Sequence, residues 1–294
     1  MPLGIQQRLH SFADEADARL HKMLAASPQD ETKLLSAVQY SLLAPGKRLR
    51  PYLVVRCCEL VGGSRELAWP VAAAIECVHA FSLVHDDLPA MDNDDLRRGR
   101  PTTHKQFDQA TAILAGDALV VLAFELIARH VVDAAIASRL VLELSQATGW
   151  AGMIGGQAAD LEGEKSPPAI DLTRSIHDRK TAALFSAAAR MGAIVGRGHE
   201  AQIAAVGTYG RHFGHSFQIA DDLLDVISTA QELGKTVGKD AHAGKQTYPA
   251  SVGVQASRTE AAAARDRAIE ALSPFGDAAE DLRELARYVV SRVF

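Results

Sequence analysis

Hydrophobic positions along this chain recur at intervals of three and four residues, the spacing of one face of an α-helix. Short stretches rich in glycine, proline or charged residues separate the segments that carry this pattern. The segments predicted as helices are 3–25, 31–43, 51–61, 66–85, 112–130, 134–148, 171–190, 201–227 and 250–294. Alanine and leucine are abundant and aromatic residues make up only 5% of the chain, which favours helix over sheet. We therefore predict an all-α fold, a helical bundle around a deep central cavity.

No repeat of fixed period and no low-complexity linker divides the chain, so we predict a single domain over residues 1–294. The most apolar long segment, 110–132, contains Asp117 and Glu125, which indicates a buried helix rather than a membrane span. A net charge of −5 without a basic stripe argues against a nucleic-acid partner. The absence of an apolar signal core in residues 1–25, and of metal-ligand spacing among the three cysteines, favours a cytoplasmic protein with reduced thiols.

A dense acidic cluster follows the predicted helix over 66–85. Five aspartates lie within ten positions, and three arginines come directly after them. These residues are Asp86, Asp87, Asp92, Asp94, Asp95, Arg97, Arg98 and Arg100. Carboxylates this close repel one another unless a cation lies among them, and hard oxygen ligands suit Mg²⁺ or Ca²⁺. The adjacent arginines indicate that the metal arrives with an anion, of which a phosphate is the common case for Mg²⁺.

A second acidic cluster ends the predicted helix over 201–227. At 100° per residue its polar side chains fall within roughly a 100° arc of one helix face. These side chains are Gln218, Asp221, Asp222 and Asp225. One such cluster alone could be a capped helix end or a solvated run of charge. Two clusters, each ending an apolar helix, favour a shared metal and phosphate site.

Basic residues elsewhere could serve the same anion. Lys47, Arg48 and Arg50 precede a predicted helix, where cations oppose the helix dipole unless an anion binds there. An exposed helix start is the alternative. His79 shares a helical stripe with Asp86, although a lone histidine on an apolar helix is usually a core residue.

The two aspartate-rich segments carry a family resemblance. Asp86-Asp87 with Asp92 resembles the first motif of the trans-prenyltransferases, or polyprenyl diphosphate synthases, and Asp221-Asp222 with Asp225 resembles the second. Residues 40–249 carry the resemblance in recognisable blocks, most like the bacterial farnesyl diphosphate synthases. The resemblance implies an isoprenoid synthase fold. It also implies a Mg²⁺-dependent head-to-tail condensation of isopentenyl diphosphate with the allylic diphosphates dimethylallyl and geranyl diphosphate.

The resemblance also implies the roles of individual residues. Three magnesium ions would be held by Asp86, Asp87, Asp92, Asp221, Asp222 and Asp225. The allylic diphosphate would be gripped by Arg97, Lys180 and Lys235, with Thr181 and Gln218 near the developing cation. Isopentenyl diphosphate would bind, without metal, to Lys47, Arg50, His79 and Arg98. The family further implies a homodimer.

Product length is a separate inference. Phe81 lies five positions before Asp86, and Pro89-Ala90 lengthen the first motif, which is similar to the C15-producing type. Five residues of helix rise about 7.5 Å, a reasonable depth for a steric stop. A helical wheel places Ser82 more nearly below Asp86 and turns Phe81 roughly 140° away. We expect a farnesyl product, with geranyl or geranylgeranyl diphosphate as alternatives.

Two other kinds of protein compete with this interpretation. A class I terpene cyclase would carry an Asn/Ser/Glu motif in place of residues 221–225, which the sequence does not match. A non-catalytic prenyltransferase subunit typically loses one aspartate cluster, whereas both are present here. Relatives often end in a basic tail over the isopentenyl site, and only Arg292 is available for that purpose.

Overall fold

The structure, a computed structural model, describes residues 4–25, 32–227 and 245–293. Its helices are α1 Ile5–Ala25, α2 Lys33–Leu42, α3 Leu49–Leu60, α4 Arg65–Asp86, α5 Thr103–Gln106, α6 Gln109–His130, α7 Ala134–Thr148, α8 Met153–Gly163, α9 Ile170–His177, α10 Ala183–Val195, α11 Glu200–Ile227, α12 Tyr248–Val252, α13 Val254–Ala271 and α14 Glu280–Ser291. A π-helical turn, Asp178–Ala182, joins α9 to α10, and a 3₁₀ segment, Ser273–Ala279, precedes α14. The predicted all-α fold is confirmed.

Helix α4 lies at the centre of the fold, against α3, α6 and α10. Its side chains are buried on nearly every side, which explains why the segment is apolar throughout rather than on one stripe. Helix α10 in turn packs against α3 and α11. A Cβ on Gly192 would lie 2.2 Å from the Val54 carbonyl oxygen, so glycine permits the close approach of α10 and α3. The two helices that end in aspartates, α4 and α11, are therefore held by a common core.

Two long helices are apolar enough to cross a membrane by length and composition. Burial within the fold covers 72% of the relevant window of α4 but only 39% of that of α6. The prediction of a buried helix over 110–132 is therefore correct for one side of α6 only. Its other side exposes Ile113, Leu114 and Val121.

A short β-hairpin follows the first acidic cluster. Strand β1, Leu96–Arg97, pairs antiparallel with β2, Arg100–Pro101. The turn residues Arg98 and Gly99 both have positive φ, 53° and 73°, as a two-residue type I′ turn requires. Strands of two residues are too short to show hydrophobic alternation, so the sequence pattern did not indicate them. The hairpin places Arg97 and Arg98 beside the end of α4.

The predicted helix over 171–190 is interrupted by the π-helical turn Asp178–Ala182. A single wide turn changes the hydrophobic period too little to be seen in the pattern, and such turns often mark functional sites. The three cysteines are buried and free, as expected: Cys57, Cys58 and Cys77.

Candidate active site

One cavity of about 1270 Å³ opens between the ends of α4 and α11. Both acidic clusters contribute to its wall, through Asp86, Asp92, Asp221, Asp222 and Asp225. The other predicted site residues in the wall are Lys47, Arg50, His79, Phe81, Ser82, Arg97, Arg98, Lys180, Thr181 and Gln218. Apolar side chains complete it, including Met153, Leu161, Phe185 and Phe217. Lys235 lies outside the described residues.

The chain folds back after α4 and brings Asp92 to the end of the helix. The Asp92 N–H donates to the Asp86 carbonyl oxygen at 2.8 Å, and the Asp94 N–H donates to that of Asp87 at 3.2 Å. Asp87 is buried beside the cavity, where its Oδ1 accepts a hydrogen bond from Arg97 Nε at 2.7 Å and forms an ion pair with Nη2 at 2.6 Å. Asp86 and Asp92 thus line the cavity, whereas Asp87 fixes the guanidinium of Arg97.

The electrostatics of the first cluster suit a divalent cation. Burial raises the pKa of Asp86 to about 6, since Asp92 adds repulsion and Lys180 offsets only part of it. Lys245 Nζ lies 3.2 Å from Asp92 Oδ2. Among the described residues, no three histidine, cysteine or acidic side chains converge as a complete metal cage. A small hard cation that shares its shell with substrate oxygens, as Mg²⁺ does, fits this donor set.

In the second cluster, hydrogen bonds hold the Asp222 carboxylate in place. Asp222 Oδ1 accepts a hydrogen bond from Gln218 Nε2 at 3.0 Å, and its Oδ2 accepts one from the Tyr248 N–H at 3.0 Å. His177 Nε2 lies 3.4 Å from the same Oδ2. The Thr181 hydroxyl lies 2.8 Å from Gln218 Oε1 and donates to it. This chain of hydrogen bonds fixes the Gln218 amide at the cavity wall.

The π-helical turn carries Lys180 and Thr181 to the cavity. Lys180 Nζ forms an ion pair with Asp160 Oδ2 at 2.6 Å. A Cβ on Gly156 would lie 2.3 Å from the Lys180 backbone nitrogen, so α8 packs directly on this turn. The glycine-rich stretch 149–157 is the sequence feature that could have indicated this contact, because glycines allow two backbones to approach closely. Sequence reasoning did not identify Asp160.

The predicted isopentenyl diphosphate residues converge on one side of the cavity. Arg50 lies over the Phe185 ring, 4.3 Å from its centroid. Burial lowers the pKa of Arg50 to about 10. Its Nε is buried without a hydrogen-bond partner in the described part of the chain. Burial, followed by the nearby Arg50 and Arg98, lowers the pKa of His79 well below its usual value. An anion would satisfy these cations and the orphaned Arg50 donor.

The two candidate chain-length residues both line the cavity. Phe81 is 6% exposed, and its ring lies edge-on to that of His85, with centroids 5.6 Å apart. The Ser82 hydroxyl donates to the His79 carbonyl oxygen at 2.9 Å. Phe81 lines the cavity although the helical wheel turns it away from Asp86, because a long side chain can reach a cavity that its Cα does not face.

Arg292, near the C-terminus, also reaches the cavity. Its Nη2 lies 3.4 Å from Asp221 Oδ1, and its guanidinium carbon lies 5.5 Å from the Phe217 ring centroid. The sequence left its role open, because one basic residue is a weak signal for a tail that closes over a site.

Comparison with known proteins identifies the family of this chain. The family model described as polyprenyl synthetase matches residues 31–288. The chloroplastic geranylgeranyl pyrophosphate synthase 11 of Arabidopsis thaliana is 47% identical over 271 residues, 90% of this chain and 76% of the relative. A dimethylallyltranstransferase of Fischerella ambigua is 47% identical over 264 residues, 88% of this chain and 76% of the relative.

Solved structures extend the likeness over nearly the whole chain. The apo FPP/GFPP synthase of Zymomonas mobilis is 40% identical, with a TM-score of 0.86 over 97% of this chain and 98% of that one. The geranylgeranyl pyrophosphate synthetase of Pyrococcus horikoshii is 33% identical, with a TM-score of 0.88 over 98% of both chains. The chain thus belongs to the polyprenyl synthetase family, and it is a prenyltransferase that elongates prenyl chains head to tail.

Proposed function

We propose that this chain condenses isopentenyl diphosphate with dimethylallyl and geranyl diphosphate, with Mg²⁺, and that farnesyl diphosphate is its main product. The observation that carries the proposal is the large cavity at the ends of α4 and α11. It combines two carboxylate clusters, a set of cations and an apolar wall. A diphosphate attached to a hydrocarbon is the ligand that such a combination suits.

The allylic diphosphate would lie between the two acidic clusters. Asp86, Asp92 and Asp221 would hold magnesium, with Asp225 nearby, and Mg²⁺ supplies charge neutralisation of the leaving diphosphate when bound. Arg97 and Lys180 are fixed by Asp87 and Asp160. These two cations would grip the diphosphate oxygens, where negative charge develops as the allylic C–O bond breaks. Lys235 would join them.

The chain's remaining residues would protect and direct the allylic cation. The apolar wall excludes water, which would otherwise capture a carbocation. Thr181 and the fixed Gln218 amide would lie near the cation. Isopentenyl diphosphate, held by Lys47, Arg50, His79 and Arg98, would attack through its double bond. One C–C bond forms, the allylic C–O bond breaks, and the lost proton goes to the departing diphosphate. Asp87 and Asp222 would act as supports rather than primary metal ligands, because protein donors hold their carboxylates at 2.7 to 3.0 Å. The cations beside Asp92 and Asp221 are more distant, at 3.2 and 3.4 Å.

Product length has two candidates. Phe81, buried at the cavity wall near the end of α4, supports a stop at C15. The geranylgeranyl names of several relatives favour C20 as the second candidate.

The proposal extends to a cytoplasmic homodimer. The exposed apolar side of α6, with Leu142 of α7 exposed as well, would be the contact between two copies.

The direct test is incubation of the purified protein with isopentenyl diphosphate, Mg²⁺ and either dimethylallyl or geranyl diphosphate, followed by product chain-length analysis. We expect farnesyl diphosphate from both starters, and no product when EDTA removes the metal. A main product of C20 would favour the second candidate. Folded protein that condenses neither starter would contradict the proposal and favour a non-catalytic subunit.

A further inference from the structure

A buried ion pair adjoins the cations that we propose for isopentenyl diphosphate. Arg48 Nη1 donates to Glu76 Oε1 at 2.6 Å, and the two side chains are 2% and 4% exposed. Arg48 Nε also donates to Asp17 Oδ1 at 2.7 Å, and Nη2 to the Ala44 carbonyl oxygen at 2.8 Å. All three guanidinium nitrogens of Arg48 therefore bond protein groups, so Arg48 supports the fold rather than a substrate.

The backbone at Arg48 is unusual. This residue is the N-cap of α3 and has left-handed angles, φ 47° and ψ 39°. A non-glycine residue in this region is strained and persists where surrounding contacts fix it. The contacts of its side chain with α1, α4 and the preceding turn provide that support. The chain thereby turns so that Lys47 and Arg50, on either side, both reach the cavity.

Glu76 is also placed to hold the cations together. It lies one helical turn before His79 on α4 and lines the cavity with Arg50 and Arg98. Burial lowers the pKa values of Arg50 and Arg98, neighbouring arginines lower them further, and Glu76 acts in the opposite direction on both. Cations gathered for a diphosphate repel one another until it binds. A carboxylate among them offsets that repulsion, but it would also repel the substrate unless it were paired, as Glu76 is with Arg48.

We propose that Glu76 is a positioning residue for isopentenyl diphosphate. Through Arg48 it fixes the turn that presents Lys47 and Arg50, and its charge keeps these cations converged before the substrate arrives. The inference rests on the proposed function and makes it more specific. It concerns one substrate only, because the proposed allylic subsite depends on Asp86, Arg97 and Lys180 instead.

The test is Glu76→Gln in the full-length protein, which removes the charge and keeps the shape. We expect the KM for isopentenyl diphosphate to rise about 10-fold, as for loss of a supporting residue, with the KM for geranyl diphosphate within about twofold. Calorimetric binding of isopentenyl diphosphate alone, in EDTA, should weaken by a similar factor. Glu143→Gln is the matched control, since it breaks a partly buried ion pair with Arg190 away from the cavity. It should lower the melting temperature and leave both KM values unchanged.

Two further variants separate positioning from folding. Glu76→Asp keeps the charge and should recover most of the isopentenyl diphosphate affinity. If Glu76→Gln does not fold, the double variant Arg48→Gly with Glu76→Gln removes both buried charges, and glycine suits the left-handed backbone. The double variant should fold and show the same selective rise in KM.

Three other results would contradict either the role of Glu76 or the proposed function. If the wild-type protein condenses its substrates, equal changes in both KM values, or no change in either, would overturn the inference. Failure of all three variants to fold would also overturn it, because the pair would then serve the fold alone. Failure of the wild-type protein to condense either starter would instead refute the proposed function.

Discussion

At the scale of single residues, the substitution Phe81→Ala tests the product length. Removing the buried ring deepens the cavity near the end of α4, so we predict a shift of the main product from C15 to C20 or longer. Chain-length analysis of products from geranyl diphosphate measures it. Phe12→Ala is the control, because Phe12 packs on Tyr52 and Trp69 outside the cavity. The control should cost about 3–5 kcal/mol of stability without changing product length. Unchanged products from Phe81→Ala would show that another residue sets the limit.

The sequence best predicted those site residues that occur as clusters of like charge. The aspartates of both clusters stood out because many like charges adjoin apolar segments, and all but Asp87 line the cavity. Supporting residues such as Glu76 and Asp160 gave no such signal. An isolated acid on a helix looks the same whether it faces solvent or a buried cation from another helix. Only the packing of α4 on the turn before α3, and of α8 on the π-helical turn, distinguishes the two cases.

At the scale of elements, the contact of α8 with the π-helical turn positions Lys180. A Cβ on Gly156 would meet the Lys180 backbone, which cannot move aside as a flexible side chain can. We predict that Gly156→Ala lowers stability by about 1–3 kcal/mol, the usual effect of overpacking. It should also lower kcat, because Lys180 would shift. Denaturant unfolding and steady-state kinetics measure the two effects.

Gly4→Ala, just before α1, is the control for this prediction. A Cβ there would meet no other atom within 4 Å. We expect stability to change by at most about 1 kcal/mol, the usual size of an effect at a helix start, and kcat to stay the same. If Gly156→Ala were as well tolerated, the tight contact between α8 and Lys180 would have no role in the site.

The elements show which structural features a hydrophobic pattern can predict. Long helices such as α7 and α11 were predicted to within one residue, because three or more turns of amphipathic pattern define them. The hairpin at Leu96–Pro101 and the turn at Asp178–Ala182 were missed, since each departs from the pattern over only a few residues. Both carry cations to the cavity, so two of the elements that the pattern missed complete the site. The pattern also predicted one helix over 250–294, where the structure has α12, α13, a 3₁₀ segment and α14.

At the scale of the whole molecule, the exposed apolar side of α6 predicts self-association. The double variant Leu114→Lys with Val121→Lys places two charges on that side, and we expect it to convert a dimer to a monomer in analytical ultracentrifugation. Leu67→Lys, at an exposed leucine of α4, should leave the dimer intact. A wild-type protein that sediments as a monomer at micromolar concentration would contradict the prediction.

The central claim is that carboxylates from α4 and α11 act together on one diphosphate. A crystal grown with Mn²⁺ and an unreactive thio analogue of geranyl diphosphate tests it most directly, because anomalous scattering locates each metal ion. We predict metal peaks at Asp86 and Asp92 and at Asp221, with the diphosphate bridging them and the hydrocarbon directed toward Phe81. Metal bound at only one cluster, or a diphosphate outside the cavity, would contradict the account.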